Sequence, residues 1–279
     1  MTDLVITLPM LRRFYARLIT AGLSHSGIAD AFERVPRESF VGPGPWKVPV
    51  QGGYLDTETD HPAVLYQDLL VALAPESGVH NGEPSLHAKC LAAAAPRHGE
   101  RVIHVGSGTG YYTAILAELV GSTGSVDAFE IVPSLAERAT GNLAGIRTVQ
   151  VHCRSALDAD LPSADVIYVS AGATHVPSKW LDALSVGGRL VMPLTPGVGR
   201  LGFMLAVTRF THDQYTARSV TPAGFIPCVG AQDAEEAQRL VAALAAWSPD
   251  TIRSLRRSSQ PDETAWLVGS DWWLSTAEP

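Results

Sequence analysis

Between residues 101 and 194 the chain switches repeatedly between two hydrophobic rhythms. Short apolar runs, "RVIHVG", "SVDAFEI", "TVQVHC", "ADVIYVSAG" and "GRLVMPL", read as strands. Between them, "YYTAILAELVG", "PSLAERATGNL" and "VPSKWLDALSVG" carry apolar residues at helical spacing. Strands alternating with helices of about three turns predict βαβ units and a mostly parallel, doubly wound sheet. Upstream, "SLHAKCLAAAAP" predicts a helix ended by Pro96, and downstream "LGFMLAVTRF", "QYTARSVT" and "GFIPC" predict antiparallel strands closing one edge.

The flanks have a different character. "MLRRFYARLITAG" predicts a helix stopping near Gly22, and "SGIADAFERV" a second, begun after a serine cap and stopped before Pro36. "VGPGPWKVPVQGGYLDTETDHPA" is too irregular for an element and too long for an idle connection, so it is expected to cover a site. The run Val64–Pro75 has a period ambiguous between strand and helix. After Ala234, "AEEAQRLVAALAAW" predicts a helix, and "TAWLVGSDWWLS" a tryptophan-rich tail with a final strand. The expected division is an N-terminal helical and covering part (1–80), a core (81–230) and a C-terminal helix with an aromatic tail (231–279).

Composition narrows the function. In 279 residues, 46% hydrophobic and 18% charged, there is enough apolar material for a sizeable soluble core. A net charge of −7 argues against nucleic acid as principal partner, and Arg253, Arg256 and Arg257 read as a solvated helix face. With Asp3 and a broken apolar run, the N-terminus resembles neither signal nor transit peptide. No run reaches the roughly 18 apolar residues of a membrane span. Cys90, Cys153 and Cys228 make no CxxC pair and are expected as buried free thiols in a reducing cytoplasm. The histidines are scattered without ligand spacing, so no metal is expected.

The chemistry concentrates at Gly106, Ser107, Gly108, Thr109 and Gly110, between a strand and a helix. Glycines there let backbone approach a ligand that a Cβ would hold off. The pattern is GxGxG, with Tyr111 where a dinucleotide fingerprint has its third glycine, and there is no Gly-Lys-Ser/Thr ending for a P-loop. A nucleoside without a pyrophosphate is left. Glu130, about twenty residues past the loop at the end of the next strand, suits both hydroxyls of a ribose. That pairing is the arrangement of S-adenosylmethionine methyltransferases.

Five blocks, "AFERVPRESFV", "EPSLHAKCLAAA", "VGSGTGYYTAILAELVG", "DVIYVSAGA" and "VPSKWLDALSVGGRLVMPL", in this order and spacing resemble the protein-L-isoaspartate O-methyltransferase family over about residues 8 to 230. The resemblance implies an α/β, Rossmann-like class I methyltransferase fold, S-adenosyl-L-methionine as cofactor and a carboxyl group as methyl acceptor. It also implies that His80–His87 lies over cofactor and substrate, with His87 touching the cofactor. The cofactor set is then Gly106, Ser107, Gly108, Thr109, Gly110, Glu130, Ile131, Arg154, Ser155 and His87.

The departures from the family gather at the same place. The repair enzymes carry a serine beside the reacting carboxylate in a stretch like T-I-S-x-P; here "HNGEP" puts Gly82 at the serine. His104 replaces the acid that usually ends the first core strand, and Cys153, Arg154 and Ser155 replace a Gly-Asp-Gly turn near the adenine. An ionised carboxylate needs donors rather than a base, and Asn81, the Gly82 amide and Ser85 are the expected cradle, with His87 beside them. A hydroxyl or amine acceptor would call on His87 or Glu83 as base. His104 is expected as a hydrogen-bonded strand-end histidine, Tyr111 and Tyr112 as split between core and site, and one of Trp272 and Trp273 as core. Three functions stay open: carboxyl methylation of an aspartyl or isoaspartyl residue in a peptide or protein, methylation of a small metabolite, and a catalytically silent cofactor-binding module.

Overall fold

The computed structural model describes residues 6–24, 26–257 and 260–279. Asp3 and the side chain of Ser26, where the serine cap was expected, lie outside the described set. In chain order the elements begin with α1 (Leu8–Ile19) and α2 (Ser26–Arg34), the hairpin β1 (Lys47–Val50) and β2 (Gly53–Asp56), and the short pair β3 (Ala72–Ala74) and β4 (Val79–His80). The core follows as α3 (Pro84–Ala94), β5 (Arg101–Val105), α4 (Tyr111–Val120), β6 (Ser125–Glu130), α5 (Pro133–Leu143), β7 (Val149–Cys153), β8 (Ala164–Val169), α6 (Ser178–Ala183) and β9 (Leu184–Leu194). Then come β10 (Gly202–Arg209), β11 (Tyr215–Ala223), α7 (Ala234–Ala246), β12 (Ser254–Arg257), β13 (Ala265–Val268) and β14 (Trp272–Ser275).

One ten-stranded sheet runs in the order β13-β14-β12-β11-β10-β9-β8-β5-β6-β7. The pairs β9–β8, β8–β5, β5–β6 and β6–β7 are parallel. From β9 outward to β13 the pairs are antiparallel. The central strands are apolar at consecutive positions because both faces are covered. Val166 and Tyr168 of β8 join the core under α1–α4, while Ile167 and Val169 join the core under α6 and α7. Pro84 at the first position of α3 supplies a helix-ready φ where no N–H is needed.

Several expectations change here. "GFIPC" forms no strand; apart from one bridge between Pro227 and Gly172 it is irregular chain. The helix read over "VPSKWLDALSVG" is short, because Leu184 already pairs with Ala164 and begins β9. Val64–Pro75 holds a 3-10 turn and a three-residue strand. Arg256 and Arg257 sit on β12, not on a helix: the Arg256 guanidinium lies 4.8 Å from the Trp273 ring centre and Arg257 pairs with Asp182. Cys153 is exposed, unlike Cys90 and Cys228. The tail contributes two strands, β13 and β14, rather than one, with β12 ahead of it, and it buries both Trp272 and Trp273. Trp266, Leu267, Trp272 and Leu274 share the apolar core of α7. No helix among the described residues is long and apolar enough to cross a membrane.

Candidate active site

β5 lies between β6 and β8, so the connections leaving β5 and β8 diverge at their carboxyl ends and open a crevice there, as doubly wound sheets do. Gly106 follows β5 and Ser170 follows β8. The crevice has two lobes, with cavities of about 280 Å³ and about 200 Å³, which share His80, Gly106, Gly108, Ser170 and Ile226.

The smaller lobe is lined by Phe129, Glu130, Ile131, Val132, Leu135, Arg154, Ser155, Ala156 and Leu157. Glu130 ends β6 and is buried. Its Oε2 accepts the Gly108 N–H (2.8 Å) and its Oε1 the Val132 N–H (2.9 Å). Burial raises its carboxyl above the ordinary range, opposed by these backbone donors and that of Ile131. Each oxygen keeps lone-pair capacity for a hydroxyl donor. Ser107 lines the larger lobe, and its Oγ is buried without a hydrogen-bond partner among the described residues. These features fit S-adenosylmethionine. Arg154, 5.9 Å from the Phe129 ring centre, lines this smaller lobe. Gly110 caps α4 with φ +95°, and a β-carbon there would lie 2.6 Å from Leu143 Cδ1, so the loop must turn on glycine.

The larger lobe adds Leu70, Leu73, Asn81, Gly82, Glu83, Leu86, His87 and Tyr112, faced by Leu201 and Pro222–Ile226. Asn81 is buried; its Oδ1 accepts from Val71 N (2.9 Å) and from Arg37 Nη2 (3.3 Å), and its Nδ2 has no partner among the described residues. Arg37 is wholly buried, with further donations to the carbonyls of Leu65, Gln67 and Leu69. Gly82 has φ +75°, and its carbonyl accepts from Tyr112 Oη (3.2 Å). The His87 ring stacks on Tyr112 at 3.6 Å between centres and bonds Tyr168 Oη through Nδ1 (2.8 Å). Burial, then the neighbouring His104, His80 and Arg37, pulls the His87 pKa well down, so its ring is neutral at neutral pH. Glu83 is raised by burial and by Asp68.

The crevice thus gathers Asn81, Gly82, His87, Gly106, Ser107, Gly108, Thr109, Glu130, Ile131, Arg154 and Ser155. Ser85 is not among its lining residues: its N–H donates to Asp68 Oδ1 (2.8 Å) at the start of α3. The Gly82 amide, expected to hold the acceptor, donates instead to His80 Nδ1 at 3.4 Å. Gly110 shapes the loop without lining either lobe. Tyr111 and Tyr112 are both buried, the former against Phe40 and the latter against His87. His104 bonds Thr113 Oγ1 (2.8 Å) and Ser170 Oγ (3.0 Å). Trp272 and Trp273 line no part of the crevice. His80 lies in the crevice, as expected of the segment His80–His87, whereas Ser170, the strip Phe225–Val229 and Arg37, which stands behind Asn81, are additions of the structure. Ser170 was accessible to the rule that ligands meet carboxyl ends of strands; the strip was hidden by its strand-like apolar pattern.

The fold and crevice define a Rossmann-like methyltransferase. A solved protein-L-isoaspartate O-methyltransferase superposes with a TM-score of 0.66 at 20% identity, over 95% of this chain and 87% of that one. A Plasmodium falciparum protein-L-isoaspartate O-methyltransferase structure in complex with S-adenosyl-L-homocysteine gives 0.60 at 18% identity, over 77% of this chain and 97% of that one. Protein-L-isoaspartate O-methyltransferase 2 of Marinobacter nauticus is 33% identical over 219 residues, 77% of this chain and 90% of the relative. The protein-L-isoaspartate O-methyltransferase of Ignicoccus hospitalis is 32% identical over 223 residues, 78% of this chain and 96% of the relative. The model of the protein-L-isoaspartate(D-aspartate) O-methyltransferase family matches residues 12–233, and the chain belongs to that family.

Proposed function

We propose that this protein transfers a methyl group from S-adenosyl-L-methionine to the side-chain carboxylate of an isoaspartyl or aspartyl residue in a peptide or protein. The observation that carries this reading is the two-lobed crevice: a nucleoside lobe over Glu130 opens directly into a lobe where Asn81 Nδ2 is an unsatisfied donor. The relatives' names point to the same acceptor.

In this reading Glu130 holds the ribose, Ser107 and the loop amides hold the amino-acid end, and Ile131, Arg154 and Ser155 flank the base. When bound, S-adenosylmethionine supplies a methyl group on a positively charged sulfur, so attack by a carboxylate oxygen needs no proton transfer. The chain therefore contributes alignment and exclusion of water, not general base catalysis. The neutral ring of His87 adds no charge beside the sulfonium. The apolar wall of Leu70, Leu73, Leu86, Leu201 and Phe225 shields the reacting atoms. A reducing, cytoplasmic setting matches the free cysteines.

The test is incubation with methyl-labelled cofactor and matched isoaspartyl, aspartyl and asparaginyl peptides. Base-labile volatile methanol from the carboxyl peptides alone is the expected result. Base-stable label would redirect the assignment to a hydroxyl or nitrogen acceptor, and cofactor binding without turnover to a silent module.

A further inference from the structure

Resting on that reading, we infer that His80 is the residue that orients the acceptor carboxylate, donating from Nε2–H together with Asn81 Nδ2. The methyl group has to pass where the two lobes meet, and five residues line both. Gly106, Gly108 and Ile226 bring no polar side chain. Ser170 is already engaged by His104 Nε2 at 3.0 Å. His80 is the remaining polar side chain at the junction.

Its tautomer follows from its neighbour. The Gly82 N–H donates to His80 Nδ1 (3.4 Å), which requires Nδ1 to be unprotonated and places the proton of the neutral ring on Nε2. Burial lowers the His80 pKa, so the ring stays neutral in neutral solution and remains a donor without repelling a sulfonium. Among the described residues no hydrogen bond engages Nε2.

Asn81 is presented in a similar way. Val71 N–H and Arg37 are both donors, so they fix the amide oxygen toward themselves and leave Nδ2 buried and without a partner among the described residues, on a side chain that lines the lobe. Arg37 cannot turn away without breaking its bonds to the carbonyls of Leu65, Gln67 and Leu69. Between these residues Gly82 has no space for a hydroxyl, since a β-carbon there would lie 2.3 Å from His87 Nε2. The donor that the family places on the serine is supplied here by the residues before it. In the reaction a carboxylate oxygen forms the new O–CH₃ bond, the methyl–sulfur bond breaks, and its electron pair stays on sulfur.

The acceptor loses its negative charge as the bond forms, so donors to it act more strongly before the transition state than in it. His80→Ala is therefore expected to raise KM for an isoaspartyl peptide by about tenfold to a hundredfold, with kcat unchanged or slightly raised. His80→Gln, which keeps a side-chain N–H donor, restores most of the loss. Asn81→Asp keeps the acceptor for Arg37 but presents an oxygen to the carboxylate, and is expected to raise KM further than His80→Ala. Calorimetry with S-adenosylmethionine should show a much smaller change in each variant than the change in KM. A folded His80→Ala enzyme with wild-type KM, no rescue by His80→Gln, or an equal loss of cofactor affinity would each overturn the inference alone. A wild-type enzyme that methylates no carboxylate would instead overturn the proposed function, and this inference with it.

Discussion

His87 lies against the α-carbon of Gly82, with Nε2 only 2.3 Å from where a β-carbon would be. The ring cannot withdraw easily, because Tyr112 stacks on it and Tyr168 holds Nδ1. The missing serine is therefore a property of the local packing as well as of the sequence.

Gly82→Ser does not recover the family arrangement. It meets both the left-handed backbone and the imidazole, and is expected to destabilise by about 1–3 kcal/mol, a melting midpoint lower by roughly 2–10 °C. Thermal unfolding of the variant checks this; an unchanged midpoint would mean that the ring moves aside at no cost.

Glu130 both orders the glycine loop, through Gly108 N–H, and lines the smaller lobe, proposed to hold the nucleoside. Glu130→Ala is expected to weaken S-adenosylmethionine binding by about tenfold to a hundredfold, the loss of hydrogen bonds to a charged acceptor. Isothermal calorimetry on the folded variant measures it, and an unaltered affinity would remove this residue from the cofactor site.

Acid should loosen the fold through its buried histidines. Burial holds His104 down at about 3 and pulls His87 well below its ordinary value. Unfolded, each takes up a proton near pH 6.5, so the unfolded chain binds more protons and stability falls as pH drops below that value. The slope is about 1.4 kcal/mol per pH unit for each such histidine. Glu130, raised by burial, acts in the opposite sense. Urea unfolding between pH 7 and 5, wild type against His104→Gln, isolates one histidine; identical slopes would contradict it.

Thiol accessibility should divide the cysteines. Burial pushes Cys90 up to about 12 and Cys228 up to about 11, while Cys153 is exposed. Titration with a colourless disulfide reagent near pH 8 is expected to modify Cys153 rapidly in the native protein and the other two only after denaturation. Rapid native modification of Cys90 or Cys228 would show that its pocket opens.

The strand–helix alternation, the glycine loop and Glu130 were legible because each depends on local signals: hydrophobic period, absence of a Cβ, and an acid at a strand end. The irregular path of Phe225–Val229 was not. Its apolar side chains line the crevice rather than pair in a sheet, and apolar spacing alone does not separate the two. The aromatic tail likewise read as one strand, since pairing of β12 with β11 and β14 is a long-range choice.

The sequence by itself determined the family, the sheet's alternating construction and the glycine loop after β5, all carried by residues close together in the chain. Tertiary structure alone decided which polar groups remain available. Asn81 Nδ2 is open because Arg37, 44 residues away, occupies its oxygen, and His80 stands at the junction because β4 and the ends of β5 and β8 converge there. A donor's availability depends on every partner within reach, and those partners come from distant parts of the chain.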